Sequence, residues 1–155
     1  MYLARRTYVK KWPFQSDKEK INVSVRKENH DVVGIDKEKI SHILEDVMYW
    51  RKANHIHNWF VKNVQDNNDN CAEYHLDAEV LRRLIKDCKT VLEDNSKAPK
   101  ILPTVEGFFF GSEDYDENYF IDIRETVNEL EKIIEDFDKA SETGLVQSFY
   151  YQSSW

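Results

Sequence analysis

Ile40-Ser41-His42-Ile43-Leu44-Glu45-Asp46-Val47-Met48-Tyr49-Trp50-Arg51-Lys52-Ala53-Asn54-His55-Ile56-His57-Asn58-Trp59-Phe60-Val61 is the stretch on which the fold turns. Ile40, Ile43, Leu44 and Val47 recur at three- and four-residue spacing, the period of a helix that advances about 100° per residue. The pattern predicts one helix from about Lys37 to Gln65, stopped by the turn formers Asp66-Asn67-Asn68-Asp69-Asn70. On it Trp50, Asn54, His57 and Val61 fall beside or within the apolar face, which Tyr49, Ala53, Ile56 and Phe60 widen. Arg51, His55, Asn58 and Lys62 lie opposite, toward water.

Upstream, residues 1–12 mix Tyr2, Leu3, Tyr8, Val9 and Trp12 with basic side chains and read as an exposed or edge strand ended by Pro13. Ile21 to Arg26 alternates as a half-buried strand, Asn29-His30-Asp31 reads as a turn, and Asp36 as an N-cap after Gly34. Downstream, Asp77 caps a second helix carrying Val80, Leu81, Leu84, Ile85, Cys88, Val91 and Leu92, and Asn95 to Lys100 is a loop. Phe120, Ile123, Val127, Leu130, Ile134 and Phe137 mark a third helix, which Gly144 can stop, and Leu145 to Tyr151 can return as a strand. The expected architecture is α+β: a small antiparallel sheet from N- and C-terminal strands packed with three helices, in a single domain over 1–155. The alternative is a mostly α-helical bundle.

Composition sets the class. A chain of 155 residues that is 41% hydrophobic can bury one core and is not disordered, and four glycines and three prolines are few for a many-turned sandwich. No run reaches the roughly 20 apolar residues of a membrane span, and the start lacks the apolar stretch of a secretory signal. Two cysteines make no disulfide scaffold. The expectation is a cytoplasmic protein. Residues 1–27 carry eight basic groups against two acidic, a local +6, and residues 113–142 carry twelve acidic against three basic, a local −9, within a net −7. That balance argues against direct nucleic-acid binding and leaves an acidic surface that either faces a basic partner or is simply solvated.

Two segments attract a functional reading. Asn54 and His57 point where apolar neighbours are expected, so each needs hydrogen bonds. They are either a closed core network or the polar floor of a ligand pocket with Trp50 or Trp59 as a stacking wall, suited to a planar base or nicotinamide-like ring. The second segment is Pro103-Thr104-Val105-Glu106-Gly107-Phe108-Phe109-Phe110-Gly111-Ser112, whose three phenylalanines cannot all enter one core from a strand. It is either a buried strand or a ligand-lining loop to which Thr104, Glu106, Gly107, Phe109, Gly111 and Ser112 contribute. Phosphate binding there is disfavoured by Glu113, Asp114, Asp116 and Glu117 at the start of the third helix. His55 and His57 point about 200° apart on a helix and cannot share one ion, and Cys71 with His75 lacks further ligands, so no metal and no cofactor is expected. A catalytic trio can be assembled from His57, Glu73 or Glu106, and Cys71 or Ser112, but nothing in the spacing brings them together. No catalytic residue is assigned.

Tyr49-Trp50-Arg51-Lys52-Ala53-Asn54, Ile56-His57 and Trp59-Phe60-Val61, followed by Cys71-Ala72-Glu73-Tyr74, Leu102-Pro103-Thr104, Gly107-Phe108-Phe109-Phe110-Gly111-Ser112, Tyr115-Asp116 and Asp122-Ile123, resemble the blocks of a family of short phage and prophage proteins of uncharacterised activity. The resemblance covers roughly residues 45–135 and departs at Ala72, where the family block carries Gly. It implies a small accessory protein of the host-cell cytoplasm that acts on host pathways or defence. Three functions fit that context: a non-catalytic binder of a nucleotide-like small molecule, an acidic inhibitor of a basic host protein, or a small hydrolase or transferase using His57. An oligomer is compatible with each.

Overall fold

The computed structural model describes residues 1–16, 20–106 and 112–154. Its order is β1 (Tyr2–Tyr8), β2 (Arg26–Lys27), β3 (His30–Asp31), β4 (His42–Tyr49), α1 (Asn54–Asn63), β5 (Tyr74–Leu76), α2 (Ala78–Glu93), α3 (Ala98–Ile101), α4 (Glu117–Glu142) and β6 (Val146–Gln152). The main sheet runs β4-β1-β6-β5 with every pair antiparallel, and β2 and β3 form a separate two-stranded hairpin. The α+β class and the sheet built from both ends of the chain are as expected.

The long first helix is not. Residues 42–49 form a strand, and only Asn54–Asn63 is helical. β4 pairs with β1 from Tyr2↔Tyr49 to Tyr8↔His42, and Glu45 holds Arg5 across the ladder through two 3.0 Å hydrogen bonds. Register shifts between Leu3 and Ala4, where Met48 and Asp46 are the partners and Val47 is the extra residue of a bulge. Ile43 and Leu44, which suggested a helical core face, are exposed, so their spacing carried no packing information. The corner to α1 contains no glycine; Lys52 supplies the left-handed turn at φ 63°.

Further corrections follow from pairing. β1 is not an edge strand but lies between β4 and β6. Of Ile21–Arg26 only Arg26 enters a strand, pairing with Asp31. The loop at Asn95 to Lys100 contains a single 3-10 turn, Asn95–Lys97, and the short α3. Asp36 does cap a 3-10 turn, its Oδ1 accepting from Glu38 N–H at 3.1 Å. α4 carries the expected apolar stripe, and Gly144 follows it at φ 81°.

The core lies on one sheet face. Leu3, Phe149, Tyr151 and Leu76 rise from neighbouring strands, and α2 and α4 supply Leu81, Leu84, Cys88, Val91, Ile123, Val127, Leu130 and Ile134. Phe137 of α4 meets Phe149 of β6. α1 is wedged into this core. Phe60 stacks on Tyr151 at 3.9 Å and 14°, Trp59 donates to Asp87 of α2 at 2.8 Å, and His55 packs on Tyr119 of α4 at 4.2 Å. Three neighbours explain why Asn54 through Phe60 are all buried in a helix of mixed polarity. His55 and Asn58 are therefore not on a solvated face, because α1 has none over its first two turns.

Candidate functional site

Each polar residue buried on α1 meets a different environment. His57 Nδ1 lies 2.7 Å from the Tyr151 hydroxyl and Nε2 lies 2.9 Å from Asp69 Oδ2. Burial pushes the Tyr151 phenol well above its ordinary range, so it stays a hydroxyl. Asn54 accepts from Val105 N–H at 3.2 Å and donates to the Ser112 carbonyl at 2.9 Å, while Asn58 donates to the Pro103 carbonyl at 2.9 Å. Thr104 joins the same two chain legs, donating from Oγ1 to the Glu113 carbonyl at 2.9 Å. Asn54 and Thr104 therefore staple 103–105 to 112–113 and hold both against α1.

These bonds place the residues singled out in the sequence. Trp50 is core, its indole N–H donating to Thr126 Oγ1 at 2.9 Å, and Trp59 is core between Phe60 and Asp87. His57 and Asn54 are bonded inside the packing rather than presented to a cavity. Glu106 is exposed. Gly107, Phe109 and Gly111 lie outside the described residues. The carboxylate at His57 is Asp69, not Glu73, which is ion-paired with Arg6, and Ser112 Oγ donates to Asp114.

The residue that the helical reading turned to water, His55, is the one at a cavity. Arg51, Lys52, His55, Ser112, Asp114, Asp116, Asn118, Tyr119 and Asp122 line a space of about 230 Å³ between the β4–α1 corner and the start of α4. Arg51 and Lys52 are exposed and form the rim on one side; Ser112, Asp114, Asp116 and Asn118 form it on the other. His55 and Tyr119, 3% and 4% exposed, close the inner end. The His55 Nε2 is buried without a hydrogen-bond partner among the described residues, and burial pulls the imidazole down to about 4, so it is neutral at pH 7. Burial, then Glu125 and Asp116, push the half-buried Asp122 carboxyl up to about 6. Asp116 is engaged as the N-cap of α4, accepting from Tyr119 N–H at 3.0 Å.

The groove between α2 and α4 is lined by Arg82, Ile85, Glu131, Ile134, Glu135 and Asp138, whose charged groups pair as Arg82–Asp138, Lys89–Glu131 and Lys139–Glu135. Among the described residues no cluster of three or more His, Cys, Asp or Glu side chains is arranged to hold a metal ion, and no helix is long and apolar enough to cross a membrane. Comparison with protein-family models, curated proteins and solved structures returned no match.

Proposed function

We propose that the protein is a phage-type cytoplasmic accessory that binds a small polar molecule, nucleotide-like in its hydrogen bonding, in the cavity at the β4–α1 corner and without catalysing a reaction. One observation carries the reading: His55 closes a cavity with its buried Nε2 unpartnered, in a chain whose other buried α1 polar groups are bonded. An unpartnered buried polar atom costs roughly 1–3 kcal/mol, a cost that a ligand or an ordered water offsets. The volume is below the roughly 300–1,000 Å³ of drug-sized pockets, which restricts the occupant to something compact, such as a base or a nucleoside.

The alternatives draw less support. Part of the acidic face of α4 is already engaged, with Glu117–Arg124, Glu129–Lys132, Glu131–Lys89, Glu135–Lys139 and Asp138–Arg82 paired. Catalysis by His57 has no route to a substrate while its ring is 2% exposed and held at both nitrogens.

Thermal unfolding measured against nucleobases, nucleosides, nucleotides, cyclic nucleotides and small metabolites tests the proposal. A ligand present at about 100 times its Kd adds about 2.7 kcal/mol and raises Tm by several degrees. His55→Phe, which fills the inner end, is expected to abolish that shift. Unchanged melting curves across the panel would refute the reading.

A further inference from the structure

We infer that the cavity takes a dipolar ligand, a small zwitterion whose cationic nitrogen meets Asp122 and whose carboxylate meets Arg51 and Lys52. This rests on the reading of the cavity as a binding site and replaces the nucleotide-like occupant named there with one that carries both charges. Its charge is split between two walls. The corner side carries Arg51 and Lys52, neither with a hydrogen-bond or ion-pair partner among the described residues, and the α4 side carries Asp114, Asp116 and Asp122. Among the described residues no ion pair joins the two walls, so the opposed charges face each other across the cavity.

The groups on the acidic wall are not equivalent. Asp114 accepts from Ser112 Oγ, and Asp116 accepts from Tyr119 N–H and Asn118 Nδ2. Asp122 has no side-chain partner among the described residues and is half-buried, which leaves its carboxylate as the open acceptor for a cation or an N–H-rich group. On the opposite wall Lys52 keeps a left-handed backbone at φ 63°, a conformation that glycine or asparagine adopts more easily, in the turn that sets it on the rim. The inner end is uncharged: His55 is neutral, and the Tyr119 hydroxyl is spent on the Leu102 carbonyl at 2.9 Å.

Electrostatics then sort ligand classes. A phosphate dianion at the rim meets Asp114 and Asp116 as well as Arg51 and Lys52, and a simple amine meets the two cations. Only a molecule carrying both signs satisfies both walls. His55, whose buried Nε2 is unpartnered among the described residues, lines the same cavity and is a second, uncharged observation there.

The test is calorimetric titration of the full chain with γ-aminobutyrate, ε-aminocaproate, lysine and arginine. Each is run against its amine-only and acid-only analogues, with guanosine and GMP as a separate arm. At least one zwitterion is expected to bind, with each truncated analogue weaker by about tenfold or more. In Asp122→Asn the preference over the acid-only analogue should vanish; in Arg51→Gln/Lys52→Asn the preference over the amine-only analogue should vanish. Circular dichroism checks folding of the variants, and the analogue series on the wild-type chain decides independently of them. Binding of guanosine or GMP with silent zwitterions overturns the dipolar inference and leaves the binding reading standing. Folded variants with unchanged preferences also overturn it. Silence in every arm overturns both.

Discussion

The Tyr151 hydroxyl and the His57 Nδ1 lie 2.7 Å apart in the core although 94 positions separate them in the chain. The contact joins the last strand to α1, and Asp69 extends it from the other ring nitrogen into the loop that follows the helix. A carboxylate only accepts, so Nε2 carries the proton toward Asp69; in the neutral ring Nδ1 then accepts from Tyr151. That loop holds Asp66, Asn67 and Cys71 at φ 50°, 61° and 57°. Asp66 and Asn67 are of the types that tolerate this region, Cys71 is not, and the His57–Asp69 bond ties the loop between them to α1.

Tyr151→Phe keeps the stack on Phe60 and removes the hydroxyl. Loss of about 1–3 kcal/mol is expected, because a buried ring nitrogen loses this partner. Urea unfolding measures it. An unchanged midpoint would mean that the hydroxyl contributes nothing net.

Asn54 uses both ends of its amide, so its two substitutions separate. Asn54→Asp keeps the acceptor for Val105 N–H but sets an oxygen against the Ser112 carbonyl; about 2 kcal/mol of stability should be lost while the Val105 amide stays protected. Asn54→Ala should cost a similar amount and expose that amide. Hydrogen exchange at Val105 distinguishes them, and equal protection in both variants would remove Asn54 from its stapling role.

His55 and Asp122 predict opposite pH dependences. His55 takes a proton near 6.5 when unfolded and near 4 when folded, so acid draws the chain toward the unfolded state between those values. The loss is on the order of 3 kcal/mol by pH 4, and His55→Phe should remove it. Asp122 ionises near 3.8 unfolded and near 6 folded, so its penalty is present above pH 6 and disappears as pH falls toward 4. Half exposure reduces that penalty to about 1 kcal/mol. Asp122→Asn should therefore be the more stable protein at pH 7 and lose its advantage by pH 4. Urea midpoints across pH 4–7 read both, and parallel curves for wild type and variants would contradict the assignment.

α2, α4 and the returning β6 were readable because their signals are local. Their apolar positions repeat at the helical period over 16 and 26 residues, Asp77 and Asp116 sit at the N-caps, and Gly144 marks the stop. The first helix was misread over its N-terminal half for a reason equally physical. Apolar residues at three- and four-residue spacing also occur by chance on a strand, and the corner at Lys52 uses a lysine where a glycine would have signalled a turn. Placing 42–49 on the same helix as 54–63 then put His55 on the wrong side.

Local pattern alone pointed to the α+β class and the two long helices, and it singled out the segment from Tyr49 to Val61. Tertiary structure decided which polar residues of that segment are satisfied and which is not. Asn54 and His57 find partners at Val105, Ser112, Asp69 and Tyr151, while His55 closes a cavity between α1 and the start of α4. Hydrogen-bond satisfaction depends on groups up to 94 positions away, and periodicity along one helix holds no record of what the rest of the chain brings to each of its faces.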